Sequence, residues 1–355
     1  MNLLKKLFSE YELKNIKLKN RICVPPMVVG LTEDGYVTLE NVEYYRRLAK
    51  GGAGLIIQEA TCVNKDGKLS ERQLGIWEDG QIEGLKEIVK VVHAQDCKIF
   101  IQIHHAGVVG ISESPLCPSA YIYQCSDKTV VGQEMTKEDI TSIQKDFIEA
   151  GRRAYEAGYD GIELHGCHSY LISQFYNKKV NTRNDEYGTN PDRFVLEILD
   201  GIRKITPKEF IVGIRLGGFE PTLEDGIKHA KVLEQNGIDF LDISYGFSNE
   251  QEMQVSDDYQ FSSAMYAAEK IKNEVTVPVF GVHKINSLEI AEEILEKTKI
   301  DIVDIGRNFL INPNWLNDAK EGKYAGKCLA CPQCVVLSKD KPICPGKVLL
   351  ERTAK

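Results

Sequence analysis

The stretch Asp160-Gly-Ile-Glu-Leu-His165-Gly-Cys-His168-Ser-Tyr170 reads as a buried strand that gives way to a helix. Gly158 and Asp160 lead in an alternating apolar segment, and three polar side chains, His165, His168 and Tyr170, gather at its end. Parallel α/β proteins place their active sites at the carboxyl ends of such strands.

Seven further short apolar runs recur at 21–25, 54–58, 98–103, 210–215, 239–243, 277–281 and 300–305, which with 160–164 makes eight strands. Helix patterns lie between them at 80–95, 137–157, 222–237 and 287–297, and Thr136-Lys-Glu-Asp139 reads as a capping box for the second. Strand and helix in alternation require parallel pairing. An open doubly wound sheet signals itself with Gly-x-Gly-x-x-Gly after the first strand, and none is present there. Gly51-Gly52-Ala-Gly54 follows a helix and precedes a strand, so it reads as a helix C-cap and tight turn. The expectation is an α/β fold, a (β/α)8 TIM barrel over residues 1–322. Residues 11–20, turning at Lys14-Asn15, form a hairpin against the barrel floor, and 323–355 form a short cysteine-rich extension.

A net charge of -8 with intermixed signs over 355 residues gives no basic stripe, which argues against a nucleic-acid or anionic-membrane partner. The apolar start Met1-Asn-Leu-Leu is too short for a signal peptide, and no later run reaches the roughly 20 residues of a spanning helix. A cytoplasmic protein is expected, in which thiols stay reduced, so the ten cysteines point to packing or metal binding. Cys23, Cys62, Cys97, Cys117, Cys125 and Cys167 are scattered and read as small core residues. Cys328-Leu-Ala-Cys331-Pro-Gln-Cys334 and then Cys344-Pro345 form a four-thiolate set suited to an iron-sulfur cluster or to zinc.

The strand ends of the expected barrel are rich in chemistry: Pro25-Pro26-Met27, Gln58-Glu59-Ala60, Gln102-Ile-His104-His105, His165, Arg215 and Gly306-Arg307. His165 and His168 have the i, i+3 spacing of a metal pair but no third ligand in a recognisable motif. The plainer reading leaves one imidazole packed and one solvated.

Together these residues resemble the Old Yellow Enzyme family of FMN-dependent NAD(P)H oxidoreductases, from about residue 18 to residue 315. The matching blocks are Asn20-Arg-Ile-Cys-Val-Pro-Pro-Met27, Gly54-Leu-Ile-Ile-Gln-Glu-Ala-Thr61, Gln102-Ile-His-His-Ala-Gly107, the stretch from Asp160 to Phe175, Asp185-Glu-Tyr-Gly188, Arg193-Phe194 and Asp304-Ile-Gly-Arg307. The resemblance implies an FMN across the barrel mouth, with Pro26, Met27 and Ala60 lining its ring and Gln102 meeting its pyrimidine edge. Arg215 then faces flavin N1 and O2, where a fixed guanidinium stabilises the charge of the reduced ring. Backbone amides with Gly306 and Arg307, and Lys284 more weakly, hold the phosphate. His165 and His168 become hydrogen-bond donors to a substrate carbonyl, and Tyr170 the proton donor to the α-carbon of a conjugated alkene.

Three positions depart from the family pattern. His283-Lys284 stands where many members carry Gly-Gly or Gly-Arg, which puts the amide cradle there in question. Val28 replaces a Cys or Thr beside the flavin, and Val108 replaces an Arg at the mouth. The four cysteines resemble the [4Fe-4S] motif of a branch that includes enzymes similar to dienoyl-CoA reductase and trimethylamine dehydrogenase, with a shorter last interval. Those relatives continue into further nucleotide-binding domains, whereas this sequence ends at Lys355. Electrons are therefore expected from NAD(P)H over the flavin, or through the cluster from a ferredoxin or flavoprotein. The resemblance implies an ene-reductase acting on an α,β-unsaturated carbonyl compound, with an oxidative amine dehydrogenase and an electron-transfer subunit as the alternatives. The substrate, the choice of donor and any homo-oligomeric assembly are not written in the sequence.

Overall fold

The computed structural model describes residues 4–125, 128–247, 255–256, 258–331 and 344–353. Eight parallel strands close into a barrel in chain order: β1 (Ile22–Val24), β2 (Leu55–Cys62), β3 (Lys98–His104), β4 (Gly161–Gly166), β5 (Ile211–Gly217), β6 (Phe240–Ser244), β7 (Val279–Val282) and β8 (Ile302–Asp304). All eight expected strands are present, with ends within a few residues. The longer helices wrap the outside: α1 (Leu39–Lys50), α2 (Ile82–His93), α3 (Lys137–Glu156), α4 (Arg193–Ile205), α5 (Leu223–Gln235), α6 (Ser263–Lys272) and α7 (Leu288–Lys297).

Local chemistry sets these boundaries. Thr136 caps α3 by accepting from the Asp139 amide while the Asp139 carboxylate accepts from the Thr136 amide, the reciprocal box expected from sequence. Gly51 caps α1 and Gly52 turns the chain at φ 97°, a conformation that a residue without Cβ adopts at no steric cost. At the floor, Asp160, Asp239 and Asp301 each stand one residue before a strand. Each accepts from a backbone amide of a neighbouring strand, Ile99 at 2.9 Å, Val212 at 2.8 Å and Val279 at 2.9 Å.

The barrel interior is layered by the two-residue period of its strands. Phe100, Ile211, Phe240, Phe280 and Ile302 form an apolar lower layer, in which Phe240 stacks on Phe280 at 4.7 Å. The expected hairpin, Tyr11–Leu13 paired with Ile16–Leu18, closes that end by burying Leu13 and Leu18 in the same cluster. Two residues beyond Phe100, Phe240 and Ile302 come Gln102, Asp242 and Asp304, joined by Glu163 opposite Gln102, and further on stand His104, His165 and Ser244. The interior is thus apolar at the floor and polar at the mouth.

One excursion has no counterpart in the pattern of apolar runs. Between β3 and α3 the chain forms a three-stranded sheet from Leu116–Cys117, Tyr121–Cys125 and Lys128–Glu134. Arg183 clips it down, donating to the Pro118 carbonyl at 2.7 Å and the Met135 carbonyl at 2.6 Å while paired with Asp185. The Asp185-Glu-Tyr-Gly188 block is structural here: a Cβ at Gly188 would lie 1.9 Å from the Arg183 carbonyl oxygen. No helix among the described residues is long and apolar enough to cross a membrane.

Candidate active site

β4 carries Glu163 and His165 on its inward face, and the chain then leaves the strand through His168 and Ser169 at φ 59° and 64°. Two consecutive non-glycine residues in the left-handed region are strained, and such strain persists only where surroundings over-determine it. Here the Tyr245 carbonyl accepts from the His168 amide at 3.3 Å, and Gln174 donates to the Ser169 carbonyl at 2.6 Å. The turn delivers His168 and Tyr170 beside His165. His165 Nε2 lies 3.0 Å from His168 Nδ1, and the Tyr170 ring meets the His165 ring edge-on at 4.6 Å. The sequence-predicted trio is one cluster.

Two residues to which the sequence pattern gave no role flank that cluster. His104, at the end of β3, places Nδ1 3.1 Å from His165 Nδ1 and packs edge-on against Tyr170 at 4.4 Å. Ser244, at the end of β6, places Oγ 2.8 Å from His168 Nε2. Both could have been found by carrying the inward alternation of Phe100-Gln102-His104 and Phe240-Asp242-Ser244 to the strand ends.

All three imidazoles are neutral at ordinary pH. Burial pushes His104 down to about 3, helped by His105 and His168, and burial with the Arg215 guanidinium pushes His168 to about 3. Burial and the neighbouring imidazoles hold His165 well below the usual range. Tyr170 is raised, chiefly by burial, so its phenol keeps its proton. His165, His168 and Cys167 offer one ligand atom each within 4.8 Å, which supplies the third metal ligand absent from the sequence motif. Arg215 decides against a dication there, because its fixed charge acts on all three groups.

Beneath the cluster, Arg215 pairs with both His165 and Asp242 in the strand register, and its Nε stands 3.4 Å from Asp242 Oδ2. Asp242, Glu163 and Asp304 surround it, all buried. Burial raises all three carboxyls, Glu163 and Asp304 well above the ordinary range and Asp242 less, since Arg215 and hydrogen bonds from its two neighbours oppose the shift. Among the described residues, neither Asp242 oxygen finds an N–H donor. With Glu163 and Asp304 pushed toward their neutral forms, one carboxylate is left for one guanidinium. Gln102 Nε2 donates to Glu163 Oε1 at 2.7 Å, leaving its carbonyl and second N–H for a ligand.

The remaining predicted positions ring the mouth. Ala60 is buried in β2 at a register shift between Gln58 and Thr61, and its carbonyl accepts from Gln73 at 2.9 Å. Pro26 and Met27 are half-buried, and the loop that follows them is tied by the Val29 amide donating to Glu59 at 3.1 Å. Gly306 is half-buried against Met27 and Pro25, while Arg307 and Lys284 are exposed. His283 and Lys284 adopt φ 88° and 60°, so the backbone keeps a glycine-like conformation although both carry side chains. Tyr245 Oη fixes this turn 2.6 Å from His283 Nδ1. Val108 is fully buried with Cys117, Tyr123 and Phe247, so the position is an apolar wall.

Of the scattered cysteines, Cys23, Cys62, Cys97, Cys117 and Cys167 are buried with thiols raised by burial, which makes them unreactive packing residues. Cys328, Cys331 and Cys344 are partly or fully exposed free thiols, and Cys334 lies outside the described residues. Ala330 at φ 50° turns its amide toward Cys328 Sγ at 3.5 Å.

A model of the NADH:flavin oxidoreductase / NADH oxidase family matches residues 6–325. The chain belongs to this family. An NADPH dehydrogenase of Geobacillus sp. (strain WCH70) is 38% identical over 318 residues, covering 87% of this chain and 92% of that protein. An NADH oxidase of Thermoanaerobacter brockii is 37% identical over 343 residues, covering 92% of this chain but 52% of the relative. Among solved structures, a 2-naphthoyl-CoA reductase complex superposes with a TM-score of 0.86 at 25% identity, over 93% of this chain and 54% of that one. The Old Yellow Enzyme homologue from Zymomonas mobilis superposes at 0.76 and 25% identity, over 91% and 95%. The chain thus spans about half the length of two of these relatives and nearly all of the others. Membership of the NADH:flavin oxidoreductase family accounts for the barrel.

Proposed function

We propose that the protein reduces the C=C bond of an α,β-unsaturated carbonyl compound, with His165 and His168 gripping the carbonyl oxygen and Tyr170 supplying a proton. The observation that carries this reading is the pair of imidazole nitrogens 3.0 Å apart, beside a protonated Tyr170 and above a buried Arg215. Two N–H groups converging on one point form an oxyanion site, where each donor contributes on the order of 10²-fold to the rate. Neutral imidazoles suit an oxygen acceptor, whereas a cationic amine would need aromatic walls around it.

The residues present fit an FMN. Arg215 Nε has no hydrogen-bond partner among the described residues despite its burial, Gln102 keeps an unused donor and acceptor, and the left-handed turn at His283-Lys284 stands beside Arg307. Gln102 and Arg215 would hold the ring, Pro26, Met27 and Ala60 would line it, and Gly306 with Arg307 and Lys284 would take the phosphate. When bound, FMN supplies hydride received from NAD(P)H. Arg215 favours the reduced, anionic ring electrostatically, and Tyr170 holds its proton at Oη for the α-carbon.

We further propose that Cys328, Cys331, Cys334 and Cys344 hold a [4Fe-4S] cluster that relays electrons from a ferredoxin or flavoprotein. The spacing of the thiols, the free state of the three described and the Ala330 amide aimed at Cys328 support it. The barrel over 1–322 and the extension over 323–355 would then be two functional units.

Anaerobic titration of the reduced protein with 2-cyclohexenone tests the main reading. Reoxidation of one flavin per enone is expected, and a protein that stays reduced would be an electron carrier instead. The absorption spectrum of the same sample shows whether flavin and cluster are both present.

A further inference from the structure

Four polar groups lie in a line across the mouth: His104, His165, His168 and Ser244, with contacts of 3.1, 3.0 and 2.8 Å. A neutral imidazole carries one N–H, and the hydrogen bond at one ring nitrogen decides where that proton sits. For both clamp histidines to donate to one oxygen, His165 must carry its proton on Nε2 and His168 on Nδ1. Their outer nitrogens, His165 Nδ1 and His168 Nε2, must then accept.

Among the described residues two groups contact those outer nitrogens, His104 Nδ1 and Ser244 Oγ, and each is able to donate. His104 is wholly buried and its Nε2 has no hydrogen-bond partner among those residues. With its proton on Nε2, His104 would bury an N–H without an acceptor, the costlier kind of orphan. With its proton on Nδ1, it donates to His165 and leaves only a bare lone pair. The burial that leaves Nε2 unpartnered thus selects the tautomer that His165 needs. At the other end, the Ser244 hydroxyl can either accept from His168 Nε2 or donate to it, so it serves both His168 tautomers.

We propose that His104 and Ser244 are positioning residues: His104 holds His165 in the tautomer whose Nε2–H faces the substrate oxygen, and Ser244 donates to His168 Nε2 once that oxygen draws the His168 proton to Nδ1. The proposal rests on the clamp reading above. It adds that the His165 half of the clamp is preset: with His165 Nε2 and His168 Nδ1 3.0 Å apart, His168 accepts from His165 until an oxygen enters between them, and Ser244 turns from acceptor to donor as His168 then changes tautomer.

The test uses the oxidised, FMN-loaded protein and a phenolate probe, 4-cyanophenolate, whose oxygen mimics the substrate enolate. Binding is measured by calorimetry and the histidine tautomers by ¹⁵N NMR. His104→Leu is expected to weaken phenolate binding by about tenfold or more, and His165 to lose its single Nε2–H signature. His104→Asn, whose amide can donate from nearly the place of Nδ1, should restore most of the affinity. Ser244→Ala should weaken binding and, in the phenolate complex, spread the His168 proton over both nitrogens. Should His104→Leu fail to hold FMN, Ser244→Ala and His104→Asn carry the test by the same two measurements. Wild-type affinity and unchanged tautomers in His104→Leu and Ser244→Ala, alongside lost binding in His165→Ala and His168→Ala, would overturn the proposal. Wild-type affinity in His165→Ala and His168→Ala would instead overturn the clamp.

Discussion

Arg215 and Asp242 face each other on adjacent strands with Nε 3.4 Å from Oδ2, so the fixed cation under the mouth is neutralised by a fixed anion. The balance is set inside the barrel, where Glu163 and Asp304 are pushed toward their neutral forms. Asp242→Asn removes the anion and leaves Arg215 less compensated. The flavin midpoint potential should rise by ~30 mV or more, because 30 mV corresponds to about 1.4 kcal/mol for a two-electron couple. Spectroelectrochemistry measures this, and an unchanged or lower potential would mean that Glu163 ionises to take over the role.

Tyr170→Phe removes one hydroxyl from a ring packed against His104 and His165. Enone reduction should fall by roughly 10²-fold while flavin reduction by NAD(P)H is unaffected. Rapid mixing separates the two half-reactions. Equal loss in both would place Tyr170 in nicotinamide binding rather than proton transfer.

Arg183→Ala cuts the clip between the 116–134 excursion and the Asp185 loop. Two buried carbonyls and one carboxylate lose their donor, at a cost of about 2–4 kcal/mol. Tyr123, close enough to Tyr170 to contribute to its raised pKa, sits on that excursion. Faster proteolysis within 118–135 and a higher KM for enone are expected. A protein with wild-type protease resistance would show that the sheet stands without the clip.

Acid stability follows from the buried imidazoles. His104 and His168 are lowered from 6.5 to about 3 and His105 to about 4, so the unfolded chain takes up protons while the folded one does not. Their contribution is complete above pH 6.5 and is lost as pH falls toward those values, by about 1.4 kcal/mol per pH unit for each imidazole. Glu59, raised from 4.5 to about 7 by burial, opposes them, as do Glu163 and Asp304, also raised by burial: each is most favourable below its unfolded value and loses its contribution as pH rises. The imidazole share is isolated by His105→Phe, whose urea-unfolding stability should fall less between pH 7 and pH 5 than that of the parent chain. An identical fall in the two would mean that His105 is solvated.

Cys328→Ser should abolish iron-sulfur absorption and leave the flavin bands in place, since Cys328 lies in the segment beyond the barrel helices. Simultaneous loss of both chromophores would instead make the extension part of the barrel's fold.

Much of this protein was legible along the chain. The eight apolar runs, the capping box at Thr136 and the hairpin around Lys14 are local patterns, and local patterns survive folding because hydrogen bonding and period-two burial act over a few residues. The strand ends were legible too, because a parallel barrel brings every carboxyl end to one face, which made His165, Arg215 and Arg307 readable as residues of one rim.

What the sequence did not carry was the pairing of side chains across strands. Nothing between residues 104 and 244 states that His104 and Ser244 hold opposite ends of one imidazole pair, or that Glu163, Asp242 and Asp304 share the charge of Arg215. Those relations depend on register, and register is fixed by barrel closure rather than by any one segment. The sequence alone determined which groups stand at the mouth. The tertiary structure decided how they are protonated, because only the closed barrel removes the water that would otherwise have set their charge.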